Sequence, residues 1–155
     1  MLTFEKALNA PDGLIEIFRG SLIQERYFTD PERLERGLRQ AAADGELFLG
    51  RDDGNVAAVM RTAMRGFCGL YPYIRLLGVA PAYRGRGVGA FMLECIERTA
   101  VKSGASRITL MVSDFNTRAE AFYTRHGYER LGIIRNAVKD GIDEHVMIKY
   151  LDVGK

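Results

Sequence analysis

The stretch Tyr73-Ile-Arg-Leu-Leu-Gly-Val-Ala-Pro-Ala-Tyr-Arg84-Gly-Arg-Gly-Val-Gly89, continued by Ala90-Phe-Met-Leu-Glu-Cys-Ile-Glu-Arg-Thr-Ala100, decides the fold. It reads as an apolar strand, a glycine-rich turn and a helix. The turn Arg84-Gly85-Arg86-Gly87-Val88-Gly89 packs three glycines and two arginines into six residues. Glycine admits backbone conformations that a Cβ forbids and lets a ligand approach the main chain. At a helix start, several N–H groups can then converge where the dipole favours negative charge. Arginines beside such a nest add charge and a bidentate fork. The matching ligand chemistry is a diphosphate.

Rival readings of the turn fare worse. A Walker loop needs Gly-Lys-Ser/Thr after its spacer, and Lys102-Ser103 has no such loop before it. A dinucleotide fingerprint spaces its glycines as Gly-x-Gly-x-x-Gly, whereas Gly85, Gly87 and Gly89 alternate. A turn that uses glycine only for tight packing leaves both arginines unexplained.

Arg84-x-x-Gly87-x-Gly89, after a strand ending Val79-Ala80-Pro81, resembles the acyl-CoA loop of the GNAT family of N-acetyltransferases, whose pattern is Arg/Gln-x-x-Gly-x-Gly/Ala. A second block, Asn116-Thr-Arg-Ala-Glu-Ala-Phe-Tyr123-Thr-Arg-His-Gly127-Tyr128, is similar to that family's next helix, which commonly ends Phe-Tyr-x-x-x-Gly-Phe/Tyr. The resemblance is strong over 73–134, looser over 46–72 and 135–151, and weak before 46.

The resemblance implies an α/β fold, a mixed sheet of six or seven strands with helices on both faces. It also implies transfer of an acetyl group from acetyl-CoA to a primary amine by direct attack. Arg84, Gly85, Arg86, Gly87, Val88 and Gly89 would hold the diphosphate, and Leu77 and Val79 would pair with the peptide-like pantetheine arm. Gly78 between them suggests a bulge. Asn116 matches a position that hydrogen-bonds the cofactor, with a helix cap as its other role. Tyr123 matches the residue that protonates the departing thiolate, with a core tyrosine as the alternative. Glu25, Arg26 and Tyr27 fall in the region that lines the acceptor site.

A general base is wanted, because the attacking amine must lose a proton. Some family members carry a glutamate where this chain has Tyr73. A phenol with a reference pKa of ~10 is a poor base near neutrality, although it can position a water. His145 and Glu25 are further candidates, and the base stays open.

Working outward, Ser106 to Val112 is a further strand, followed by a helix capped by Asn116 or Thr117, with Thr117-x-x-Glu120 fitting a capping box. Gly127 ends that helix. Tyr128 to Ile134 and His145 to Leu151 read as the last strands, joined through Lys139-Asp-Gly141. Upstream, Leu2 to Leu8 is a strand, and Leu14, Ile17 and Phe18 share one helical face. Leu22, Ile23 and Phe28 are expected in the core. Asp30-Pro31 starts a helix with buried Leu34 and Leu38 that ends at Gly45. Asp53-Gly54 closes a hairpin between two apolar runs, and an interrupted segment from Ala63 to Tyr71 leads into the central strand.

At 155 residues without internal repeats, the chain is expected to form one domain, 1–155. A net charge of +2 with no long basic run argues against nucleic acid. Cys68 and Cys95 make neither a metal set nor a disulfide framework. No charged, apolar leader or span of ~20 apolar residues is read, so the cytoplasm is the expected setting, with no membrane partner. The quaternary state is open between monomer and homodimer. Three function classes remain: the N-acetyltransferase, a non-catalytic acyl-CoA-binding regulatory domain, and a nucleotide-binding protein whose loop imitates the family.

Overall fold

A computed structural model describes residues 1–154. Its seven strands form one mixed sheet: β1 (Leu2–Lys6), β2 (Leu47–Asp52), β3 (Asn55–Phe67), β4 (Tyr71–Val79), β5 (Arg107–Ser113), β6 (Glu129–Lys139) and β7 (Ile142–Tyr150). Their order across the sheet is β1-β2-β3-β4-β5-β7-β6. Four α-helices accompany them: α1 (Leu22–Arg26), α2 (Pro31–Ala43), α3 (Val88–Lys102) and α4 (Thr117–Arg125). The chain divides into two compact units, Met1–Thr62 with Leu76–Ile96, and Ala63–Arg75 with Glu97 onward. None of the described helices is long and apolar enough to cross a membrane.

In the first unit β1, β2 and β3 form an antiparallel meander. Asp53 (φ 46°) and Gly54 (φ 87°) both lie in the left-handed region, as a two-residue hairpin turn demands. Asp30 accepts from the amides of Glu32 and Arg33 to cap α2, and Gly45 (φ 72°) ends it. Leu34 and Leu38 of α2 join Leu47 and Leu49 of β2, together with Phe18, in a buried core. Side chains alternate across a strand, so Gly50 faces the other way. There, the position a Cβ would take lies only 2.7 Å from the sulfur of Met92 in α3. Helices therefore cover both faces of β2.

Leu14 to Phe18 forms a 3-10 helix, and Leu14, Ile17 and Phe18 are buried, as their spacing predicts. Leu22 departs from expectation. It is 45% exposed, because α1 is one five-residue turn capped by Ser21 that presents its first residue to solvent. Phe28 packs instead, edge-on to Phe18 at 5.7 Å. The interrupted segment over 63–71 is also corrected. β3 runs on to Phe67, and a tight turn at Cys68 (φ 53°) and Gly69 (φ 68°) leads into β4. What Gly78 provides is room, since a Cβ there would fall 2.5 Å from the ring of Phe18.

In the second unit β4 and β5 pair in parallel, Tyr73 with Thr109 and Ile74 with Leu110. β5 and β7 pair antiparallel from Arg107↔Tyr150 to Ser113↔Glu144. The last hairpin is longer than the sequence suggests, with β6 reaching Lys139 and β7 starting at Ile142. Register shifts after Arg130 and after Ile134 absorb its irregular middle. Asn116 Oδ1 accepts from Ala119 N at 3.2 Å and caps α4.

Glu120 serves neither cap nor capping box. It accepts from Arg130 Nε at 2.9 Å and from His145 Nδ1 at 2.7 Å, tying α4 to β6 and β7. Burial alone would raise its carboxyl pKa, but the hydrogen bonds and charges of Arg130 and His145 outweigh that and lower it. A carboxyl lowered in the folded state adds stability above its unfolded pKa and loses it as pH falls through the folded value. Glu120→Gln should therefore melt earlier at neutral pH, by about 1 kcal/mol of stability. The gap should narrow as pH falls below the ordinary glutamate value and close only once pH is below the lowered folded value, where Glu120 too is neutral. Melting curves across pH check this, and a gap that persists in acid would contradict it.

Candidate active site

The end of β4 and the start of α3 carry the loop residues. Ala80 N donates to Ala57 O at 2.8 Å, so Gly78 and Ala80 turn their peptide groups toward β3. Peptide groups alternate along a strand, so those of Leu77 and Val79 face the opposite edge. A short 3-10 turn, Pro81–Tyr83, follows. Gly85 (φ 73°) and Gly87 (φ 80°) then take left-handed backbone, with no atom within 4 Å of where a Cβ would stand. These two glycines serve conformation, and the space beside them is open. The first helical bond, Phe91 N to Gly87 O at 3.0 Å, leaves the amides of 87–90 ahead of the helical ladder. No acidic residue lies in the first turn of α3, so its positive end is not offset there. Val88 is buried and contributes backbone only.

The two arginines divide the work. Arg84 donates from Nε to Val79 O at 3.0 Å, and from Nη2 to Ile17 O at 3.0 Å and Arg19 O at 2.9 Å. It is a strut that fastens the loop to the end of β4 and to the turn after Phe18. Arg86 is exposed, with its guanidinium 5.5 Å from the centre of the Tyr83 ring. It is the loop's outward cation. Glu25 and Arg26 are exposed on the single turn of α1, and Tyr27 follows as its partly buried C-cap.

The second unit holds the remaining candidates. Tyr123, on α4, meets Phe122 at 5.3 Å and Tyr128 edge-on at 5.6 Å. Tyr128 is fixed in turn, since its hydroxyl donates to Glu97 Oε1 at 3.1 Å and Lys149 Nζ donates to Glu97 Oε2 at 2.8 Å. The Tyr123 hydroxyl has no hydrogen-bond partner among the described residues, and burial pushes its pKa up. A phenol so placed keeps its proton at neutral pH. Asn116 serves as a helix cap, and its backbone N–H donates to Ser113 O at 2.9 Å.

Tyr73 is partly buried. Burial raises its pKa, Arg75 opposes that, and the charge of Glu144 adds to it. Tyr73 therefore stays protonated at neutral pH and cannot itself be the base. His145, another of the candidates, is committed to Glu120. Glu144 was missed by sequence reading. It is 4% exposed and accepts from Ser113 Oγ at 2.7 Å. The signal was strand alternation, since Glu144 shares its register face with Val146 and Ile148, both buried.

The arrangement at Gly85–Gly89 fits an acyl-CoA diphosphate: open space at two left-handed glycines, convergent orphan amides, and one outward arginine. The profile of the Acetyltransferase (GNAT) family matches residues 12–128. A mycothiol acetyltransferase from Jonesia denitrificans is 47% identical over 53 residues, which are 34% of this chain and only 17% of that protein. The ribosomal-protein-S18-alanine N-acetyltransferase of Escherichia coli superposes with a TM-score of 0.71 at 20% identity, over 100% of this chain and 97% of that one. A Bacillus anthracis acetyltransferase solved in complex with acetyl coenzyme A superposes with a TM-score of 0.62 at 16% identity, over 68% of this chain and 62% of that one. The family match spans well over half of the sequence, and the chain therefore belongs to the GNAT acetyltransferase family, which uses acetyl-CoA as its acyl donor.

Proposed function

We propose that residues 1–155 work as one N-acetyltransferase domain that moves the acetyl group of acetyl-CoA to a primary amine of a small molecule, peptide or protein. The observation that carries the catalytic part is Tyr123, a phenol that retains its proton and whose hydroxyl is unengaged among the described residues. Acetyl-CoA supplies an activated thioester carbonyl and a thiolate leaving group. The amides at the start of α3 and the Arg86 guanidinium bind the diphosphate, while Arg84 holds that loop in place. The Leu77 and Val79 edge of β4 offers backbone partners to the pantetheine amides. Tyr123 gives its proton to the departing sulfur. Glu25, Arg26 and Tyr27 are assigned to the acceptor side. The competing reading is a non-catalytic acyl-CoA-binding domain, which would bind CoA without releasing thiol to any amine.

Two experiments follow from these roles. Thiol release from acetyl-CoA in the presence of a panel of amines tests the reaction itself. In the same assay Tyr123→Phe should lower kcat by roughly 10²–10⁴-fold with CoA affinity nearly unchanged. Normal turnover in that variant would leave Tyr123 a packing residue.

Calorimetric titration with CoA tests the loop. Gly87→Val forces a branched side chain into left-handed backbone and into the diphosphate's space, and should weaken binding at least about tenfold, worth ~1.4 kcal/mol. Arg84→Ala should weaken binding and also lower the melting temperature, because it strips three carbonyls of their donor. Unchanged affinity in both variants would leave the glycines shaping the turn without a part in binding.

A further inference from the structure

We propose that Glu144, held by Ser113 at the carboxyl end of β5, takes the proton from the acceptor's ammonium group. The inference rests on the N-acetyltransferase reading above and supplies the base that reading needs. Burying a carboxylate is costly unless it is hydrogen-bonded. Among the described residues Glu144 is the only charged side chain in the buried core, whose other polar members are Thr62 and Thr109. Ser113 Oγ donates to its Oε1 at 2.7 Å and fixes its orientation.

Position supports the role. Ser113 is the last residue of β5, and β5 runs parallel to β4. Ligands of open α/β sheets bind beyond the carboxyl ends of such strands. Pairing fixes the face as well. Tyr73 lies opposite Thr109, Ser113 lies opposite Glu144, and Thr109 and Ser113 are four residues apart on one strand. Residues at even spacing share a face, so Tyr73 and Glu144 look the same way. The negative charge of Glu144 reaches the Tyr73 phenol. Tyr73, where a glutamate was sought, thus shares its face with a carboxylate carried by β7.

His145, next along β7, points to the opposite face, where it meets Glu120 of α4. Tyr123 belongs to α4. Base and acid therefore belong to opposite faces of the β5–β7 pair, so the amine enters on one side while the thiolate leaves toward the other. The step balances without a further reagent. One ammonium proton passes to Glu144, the nitrogen lone pair forms the new N–C bond, and the C–S bond breaks with its electrons on sulfur. Sulfur takes the Tyr123 proton and solvent restores the phenol, while the second nitrogen proton and the proton held by Glu144 both pass to solvent.

The test compares wild type, Glu144→Gln and Ser113→Ala with two acceptors: an alkylamine, charged at the assay pH, and hydroxylamine, already neutral. Glu144→Gln should lower kcat for the alkylamine by roughly 10²–10⁴-fold, with the hydroxylamine rate and CoA affinity held within about threefold. Ser113→Ala keeps the carboxylate but not its orienting donor, and should show the same acceptor pattern at about tenfold. It carries the test if Glu144→Gln does not fold. Equal rates for variant and wild type with the alkylamine, or equal losses with both acceptors, would overturn the assignment. No thiol release by the wild type with either acceptor would overturn the acetyltransferase reading itself, an outcome distinct from a failure of Glu144 alone.

Discussion

The bonds from Arg84 to the carbonyls of Val79, Ile17 and Arg19 are the constraint on which the loop depends. A strand and a 3-10 turn both end there, and chain ends of that kind leave carbonyls in need of donors. One guanidinium serves all three. With the end of β4 fixed, the left-handed glycines at 85 and 87 can turn the chain into α3, whose first amides stay ahead of its hydrogen-bond ladder. The arginine that the motif suggests as a ligand contact is therefore first a strut. Charge toward the ligand falls to Arg86 and to the helix terminus.

That division was not legible in the sequence. The pattern Arg84-x-x-Gly87-x-Gly89 located the loop and gave the right family, because left-handed backbone and close approach leave few alternatives to glycine. It could not say what the Arg84 side chain touches, since Ile17 and Arg19 lie far away along the chain. Local signals were read well where local physics decides: the Asp30-Pro31 cap, the Asp53-Gly54 turn, and Asn116 as the cap of α4. The β3–β4 turn was missed, because Cys68 takes the left-handed position that glycine or asparagine usually announces, and because Arg65 and Gly66 break the apolar alternation of β3. Leu22 misled for the opposite reason, as an apolar residue on a helix too short to bury a face.

The site candidates divide in the same way. Tyr123 was singled out by its motif, and its setting holds the aromatic ring in place. Phe122 and Tyr128 fix the ring, and Glu97 and Lys149 fix Tyr128. Glu144 has no motif. It becomes visible only when the β5–β7 register shows a carboxylate on a buried face, bonded to Ser113. The sequence placed the search for a base at Tyr73 on β4, while the carboxylate on that face belongs to β7.

The central claim is that the loop and the β4 edge together read a pantetheine diphosphate rather than a nucleotide alone. Melting temperature with CoA and with ADP at matched concentrations tests it most directly, because a ligand stabilises the folded state by RT ln(1 + [L]/Kd). A clearly larger shift is expected with CoA, since ADP offers the loop its diphosphate but leaves the Leu77 and Val79 edge without a partner. Equal shifts with the two ligands would contradict it.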